Sequence, residues 1–164
     1  MTFTILKVIL LSGKYDRGMD MKTCFLIGHR DAPFMLREKL EKAIAAAITE
    51  YGVTEFVVGQ YGAFDRMAAS CLVEAKKAHP EIRLVLLLPY HPSERAVVLP
   101  AGFDGSFYPS GMENVPRRLA IVRANEYMAK HCALLICYVV LQNSNPGRIM
   151  QKASLYSKVY NLGS

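Results

Sequence analysis

The chain has 164 residues, of which 52% are hydrophobic, and a formal net charge of +6. That length suits one domain, and so apolar a composition supports one buried core and excludes disorder of the whole chain. No run of about 18 uncharged apolar residues occurs, so the sequence offers no helix built to cross a bilayer.

The first segment, "TILKVILLSG", is apolar but short, and Lys7 interrupts it. It lacks a charged leader and a small-residue cleavage site and does not read as a signal peptide. Residues 1–21 are expected to be an N-terminal extension, either an extra strand or a stretch ahead of a natural start at Met19 or Met21. The domain itself is expected to span 22–164.

"KTCFLIG" (22–28) is an apolar run with a glycine stop, read as a strand. In "PFMLREKLEKAIAAAITEYG" the residues Leu36, Leu40, Ala43, Ile44, Ala47 and Ile48 keep helical spacing, with Pro33 at the entry and Gly52 at the exit. "TEFVVG" (54–59) predicts a second strand. Phe64, Met67, Ala68, Cys71, Leu72 and Ala75 mark one face of a second helix. "EIRLVLLLP" (81–89) is apolar nearly throughout, as a strand covered on both faces should be. Residues 90–114 lose periodicity and read as a long ordered loop with a short strand at "SFYP". Asn114 and Pro116 predict a helix start, Asn as cap, with the helix running to about Lys130. "CALLICYVV" (132–140) predicts another buried strand, "NPGRIMQKASLYSK" a turn and helix, and "VYNL" a short last strand.

Alternating strands and helices predict a single-domain, three-layer α/β fold: a Rossmann-like parallel sheet with helices on both faces. In such sheets ligands bind beyond the carboxyl ends of the strands. Four strand ends would then share one edge: Gly28-His29-Arg30, Gly59 to Asp65, Pro89-Tyr90-His91, and Ser144 to Arg148. The charge is also uneven. Residues 113–164 carry seven basic side chains against Glu113 and Glu126, so the excess lies in the last third and suits an anionic partner or a solvated basic face.

"CFLIGHRD", "VVGQYGAFDRMAA", "PYHP" and "FYPSGMENVPRRLAIVRANEYM", in that order, resemble the SLOG superfamily over residues 22–162. This Rossmann-like group contains the DNA-processing protein A and the lonely-guy phosphoribohydrolases; small bacterial and phage members are the nearest in pattern. The resemblance implies a nucleotide or nucleotide-derived ligand, ADP-ribose-like, on the glycine turn, and it singles out Asn125. It leaves three functions open: a sensor or sequestering protein, a hydrolase cleaving an N-glycosidic or phosphoester bond, and a DNA-associated module. There are departures. Ala124-Asn125 stands where relatives often carry Arg-Asn, and Pro146-Gly147-Arg148 where they carry paired glycines. The lonely-guy signature has no match, which counts against phosphoribohydrolase activity.

Residue by residue, the candidate ligand-binding set is Gly28, His29, Arg30, Gly59, Gln60, Gly62, Asp65, Tyr90, Asn125, Gly147 and Arg148. Gly59 and Gly62 allow backbone N–H groups to approach a phosphate at a helix N-terminus, or form a plain turn. Asp65 is a helix cap or an acceptor for a ribose hydroxyl. Arg30 is a phosphate fork or the partner of Asp31 or Asp65. His29 is an acid or base, or a structural hydrogen-bonding group. Arg148 supplies charge to the site or is a surface arginine. Arg118 and Asn125 share a helix face that Arg123 does not. Cys24, Cys71, Cys132 and Cys137 sit in apolar stretches, which suits buried thiols in a reducing cytoplasm. Zinc is not expected, because Cys132 and Cys137 would point to opposite faces of one strand. No catalytic residue is assigned. The expected partner is a small nucleotide, with nucleic acid second, no membrane, and homo-oligomerisation left open. Deleting residues 1–20 is expected to leave the fold intact; a large loss of melting temperature would make "TILKVILL" an integral strand.

Overall fold

The structure is a computed structural model that describes residues 22–164; the expected N-terminal extension or extra strand lies outside the described residues. In chain order the elements are β1 (Thr23–Gly28), α1 (Arg37–Thr49), β2 (Glu55–Val58), α2 (Ala63–Ala78), β3 (Arg83–Leu87), β4 (Gly105–Phe107), α3 (Ala120–His131), β5 (Leu134–Tyr138), α4 (Asn145–Ala153) and β6 (Lys158–Asn161). The strands form one sheet in the order β4-β3-β2-β1-β5-β6, and every pairing is parallel. This is the expected three-layer Rossmann-like α/β fold.

Successive strand residues point to opposite faces, and here they build two separate cores. Cys24, Leu26, Phe56, Val58, Leu84 and Leu86 meet α1 and α2 through Leu40, Ile44, Ala68 and Leu72. Phe25, Ile27, Val57, Val85 and Leu87 meet α3 and α4 through Ala120, Ala124, Met128 and Ile149. The sidedness follows from the route of the chain. β1 to β4 step outward in one direction and β5 and β6 in the other, and right-handed crossovers in opposite directions put their helices on opposite faces.

Three expectations need correction. Asn114 does not cap a helix: it ends a short 3-10 turn (Met112–Asn114), a second turn follows at Arg117–Leu119, and α3 starts at Ala120 without a side-chain cap. The cause is Pro116, which holds Val115 before it in the extended region (φ −90, ψ 129) and interrupts the helix. Arg118 therefore stands in the 3-10 turn, off the helical face that carries Asn125. Cys132 is the C-cap residue of α3 rather than part of β5, so strand alternation does not apply to it, and it packs in the same core as Cys137. All four cysteines are buried, and among the described residues no His/Cys/Asp/Glu group could hold a metal ion. No helix of the described residues is long and apolar enough to cross a membrane.

The amino edge of the sheet holds one buried charge. Thr23, Glu55 and Arg83 are register neighbours on β1, β2 and β3. Glu55 is 1% exposed and accepts from the Thr23 hydroxyl at 3.3 Å. Arg83 Nε stands 3.6 Å from its other oxygen, an ion pair too long for a hydrogen bond. Burial pushes the Glu55 pKa from 4.5 up to about 7, with Arg83 pulling partly back. A folded pKa raised above the unfolded one gives stability that is full below the unfolded value and is lost as pH rises through the folded one. Glu55→Gln is thus expected to raise the melting temperature at pH 8 while changing it little at pH 4, where the glutamate is already neutral. A pH-independent difference in thermal melts would show that Arg83 compensates the buried charge in full.

Candidate functional site

Where β1 and β5 lie side by side, the chain reverses its direction of travel across the sheet, and such switch points leave a crevice at the carboxyl edge. A cavity of about 250 Å³ opens there. It sits over the end of β1, between the β2 and β3 exits on one side and the start of α4 on the other, with α3 as its wall. Six of the residues singled out in the sequence line it: Gly28, His29, Arg30, Gly59, Asp65 and Asn125. Gln60 and Tyr90 line a shallower groove beside it, and Gly62, Gly147 and Arg148 line neither.

The backbone around the cavity is tied together. His29 is buried, and its Nε2 accepts from the Val140 N–H at 2.9 Å and the Leu141 N–H at 3.4 Å. Two donors on Nε2 leave the ring proton on Nδ1. His29 thereby staples the exit of β1 to the exit of β5, across the switch point. On the other side, the Ala63 N–H donates to the Arg30 carbonyl at 2.8 Å and joins the β1 exit to the start of α2.

The turn before α2 is built around Asp65. Its Oδ2 accepts from the Tyr61 N–H at 2.9 Å. A Cβ on Gly59 would stand 2.9 Å from the same oxygen, so glycine is needed there to admit the carboxylate. The turn therefore spends the N–H groups of Tyr61 and Ala63 internally. Gly62 has φ +149, and an added Cβ would meet the Arg30 Cα at 2.8 Å. Both glycines are required by the turn itself, and a valine at Gly62 would perturb folding before it could report on a ligand.

Asp65 stands out electrostatically. Desolvation pushes its pKa from 3.8 up to about 6, against the Tyr61 hydrogen bond and the charges of Arg30 and Arg66. Its Oδ1 has no hydrogen-bond partner among the described residues. Arg30 is exposed and forms no ion pair among the described residues, so the alternative of a pairing with Asp31 or Asp65 is absent as a contact. The Asn125 amide, half-buried on the α3 wall, likewise has no hydrogen-bond partner among the described residues. Arg123 points elsewhere and pairs with Glu126 at 3.2 Å.

At α4, Ser144 caps the helix by accepting from the Gly147 N–H at 3.1 Å, and Pro146 stands in the first turn. Arg148 is exposed and donates to Asn145 Oδ1 at 3.2 Å. It reaches the cavity only through Asn145, which lines the rim with Pro146. Tyr61, Pro89 and Asn145 line the cavity as well, within strand ends that the sequence placed at this edge but without being singled out there; sequence reasoning missed the apolar wall of Leu87, Ile121 and Val122. The available signal for the wall was on α3: Ile121 and Val122 are apolar yet stand off the buried stripe of Ala120, Ala124 and Met128.

The chain matches no family model and no curated protein. Gly62→Ala is expected to cost about 1–3 kcal/mol through φ strain and the clash with Arg30, read as a lower urea midpoint with an unchanged slope. A midpoint equal to wild type would show that the turn relaxes freely.

Proposed function

We propose that the protein binds a nucleotide or nucleotide-derived ligand, ADP-ribose-like in class, at the carboxyl edge of the sheet, and acts as a sensor or sequestering protein. The observation that carries this reading is the pairing, in one cavity at the switch point, of a desolvated carboxylate with an unpartnered oxygen and an unpartnered amide. Asp65 needs no charge to hold the Tyr61 N–H, because an asparagine oxygen would accept it equally well. The charge costs stability, and a group kept at such a cost points to use in binding. An ionised carboxylate is a strong acceptor for ribose hydroxyls. Asn125 can read a base edge, and the wall of Leu87, Pro89, Ile121 and Val122 offers a face for the base. Arg30 at the rim has a free planar fork for phosphate. The ordered motifs that resemble the SLOG superfamily point to the same ligand class.

Hydrolysis is a second reading, favoured by Asp65 alone. A carboxyl group oriented by one backbone N–H, with a pKa of about 6, is poised to move a proton near neutral pH.

Calorimetry with AMP and ADP-ribose tests the binding reading. Asn125→Ala and Asp65→Asn are each expected to weaken affinity about tenfold or more without lowering the melting temperature. Wild-type affinity is expected to fall as pH drops below about 6, where Asp65 takes up a proton. Absence of binding by the wild type would reject the reading, and release of ribose phosphate or AMP during the titration would favour the hydrolase.

A further inference from the structure

Tyr90 and Arg95 line the groove beside the cavity, and with Arg117, outside its lining, they form an arrangement that the nucleotide reading does not explain. Tyr90 carries two guanidinium groups on its ring, Arg95 at 4.4 Å from the centroid and Arg117 at 5.6 Å. The Tyr90 hydroxyl donates to the Arg117 carbonyl at 3.5 Å. Both arginines are exposed, and neither forms an ion pair among the described residues. The neighbouring carboxylates, Glu94 and Glu113, act instead on the Tyr108 hydroxyl, whose pKa desolvation raises first and these charges second.

The ring face attracts each guanidinium at an exposed site, which orients the planar forks without neutralising them. An anion beside them would supply the acceptors that their exposed donors lack among the described residues. The position of the groove defines what that anion belongs to. Tyr61 and Pro89 border both the cavity and the groove, so the two adjoin. The cavity, at about 250 Å³, is smaller than the usual range for a drug-sized ligand, roughly 300–1,000 Å³. A mononucleotide would fill it, and a larger ligand that extends past Tyr61 and Pro89 enters the groove.

We propose that Arg95 and Arg117, held on Tyr90, form a second phosphate subsite, and that the ligand is a pyrophosphate-bridged nucleotide rather than a nucleoside monophosphate. The identity of the ligand rests on the nucleotide reading; the anion subsite stands on its own geometry. Tyr90 is the platform for the two forks and makes no contact with the base.

The test is calorimetry with three probes, AMP, ADP-ribose and inorganic pyrophosphate, on wild type, Arg95→Ala, Arg117→Ala and Asn125→Ala. Wild type is expected to bind ADP-ribose about tenfold or more tightly than AMP. Arg95→Ala and Arg117→Ala are each expected to lose about tenfold for ADP-ribose and pyrophosphate and to leave AMP within about twofold. Asn125→Ala is expected to weaken AMP and ADP-ribose and to spare pyrophosphate. Both arginines are exposed, so thermal melts of their variants should match wild type. Pyrophosphate binding that depends on Arg95, with neither nucleotide bound, would uphold the subsite and reject the nucleotide reading. Equal losses for AMP and ADP-ribose in Arg95→Ala would overturn the second subsite. So would ADP-ribose and pyrophosphate affinities that ignore both arginines.

Discussion

A sheet whose strands all run one way must be buried on both faces, because each crossover lays a helix over it. In this chain that constraint fixes nearly everything else. It explains why β1, β2, β3 and β5 are apolar at consecutive positions, and why two cores exist rather than one. It also decides where a cavity can form. α1 and α2 cover one face, and α3 and α4 the other. Only at the β1–β5 boundary do chains leave in opposite directions and fail to fill the space above the strand ends.

Around that gap the backbone is closed by side chains that a solvent-facing loop would not need. His29 spends its acceptor nitrogen on two N–H groups of the β5 exit, and Asp65 spends one oxygen on the N–H of Tyr61. The two residues differ in what remains. His29 is consumed by its structural role, since protonating Nε2 would release both of its donors. Asp65 keeps an oxygen in reserve, and its carboxyl stays partly desolvated at a cost in stability. With Asp65 half-buried at the cavity, that oxygen stays within reach of whatever enters it. Glu55 shows that the same electrostatic signature occurs without a cavity: burial raises its pKa too, yet it lies at the opposite edge of the sheet. A perturbed carboxylate gains functional meaning here only from its position.

Much of the fold was legible because it depends on patterns that period and punctuation carry. Continuous apolar runs gave the buried strands, Leu40-Ile44-Ala47 gave α1, and even the four-residue β6 followed from "VYNL". The start of α3 was misplaced because a capping residue and a proline resemble a helix start, whereas Pro116 imposes extended geometry on Val115 and delays the helix to Ala120. The site was legible where strand ends define it, as at Gly28 to Arg30 and at Gly59. It was obscure where partners are distant in sequence. Nothing near His29 announces Val140, and the roles of Gly59 and Gly62 depend on Asp65 and on the Arg30 backbone. Motif spacing suggested a row of free N–H donors, but hydrogen bonds across loops had already used two of them.

The same ties bear on how a ligand would be held. The exits of β1, β2 and β5 are joined by His29 and by the Ala63 N–H, so the cavity is formed before anything enters it, and little conformational entropy remains to be lost there. The β3 exit is different. Past Leu88, the chain to Gly105 forms no helix or strand, and Arg95 within it is held toward the site by the Tyr90 ring. A cavity closed by these ties, beside an irregular segment that carries a cation, would separate two tasks under the proposed function. On that proposal the cavity would select the shape and hydrogen-bonding edge of one group, while Arg95 would respond to charge placed beyond it. Affinity for the first group should then be set by Asp65 and Asn125, and discrimination among its extensions by arginines that never touch it.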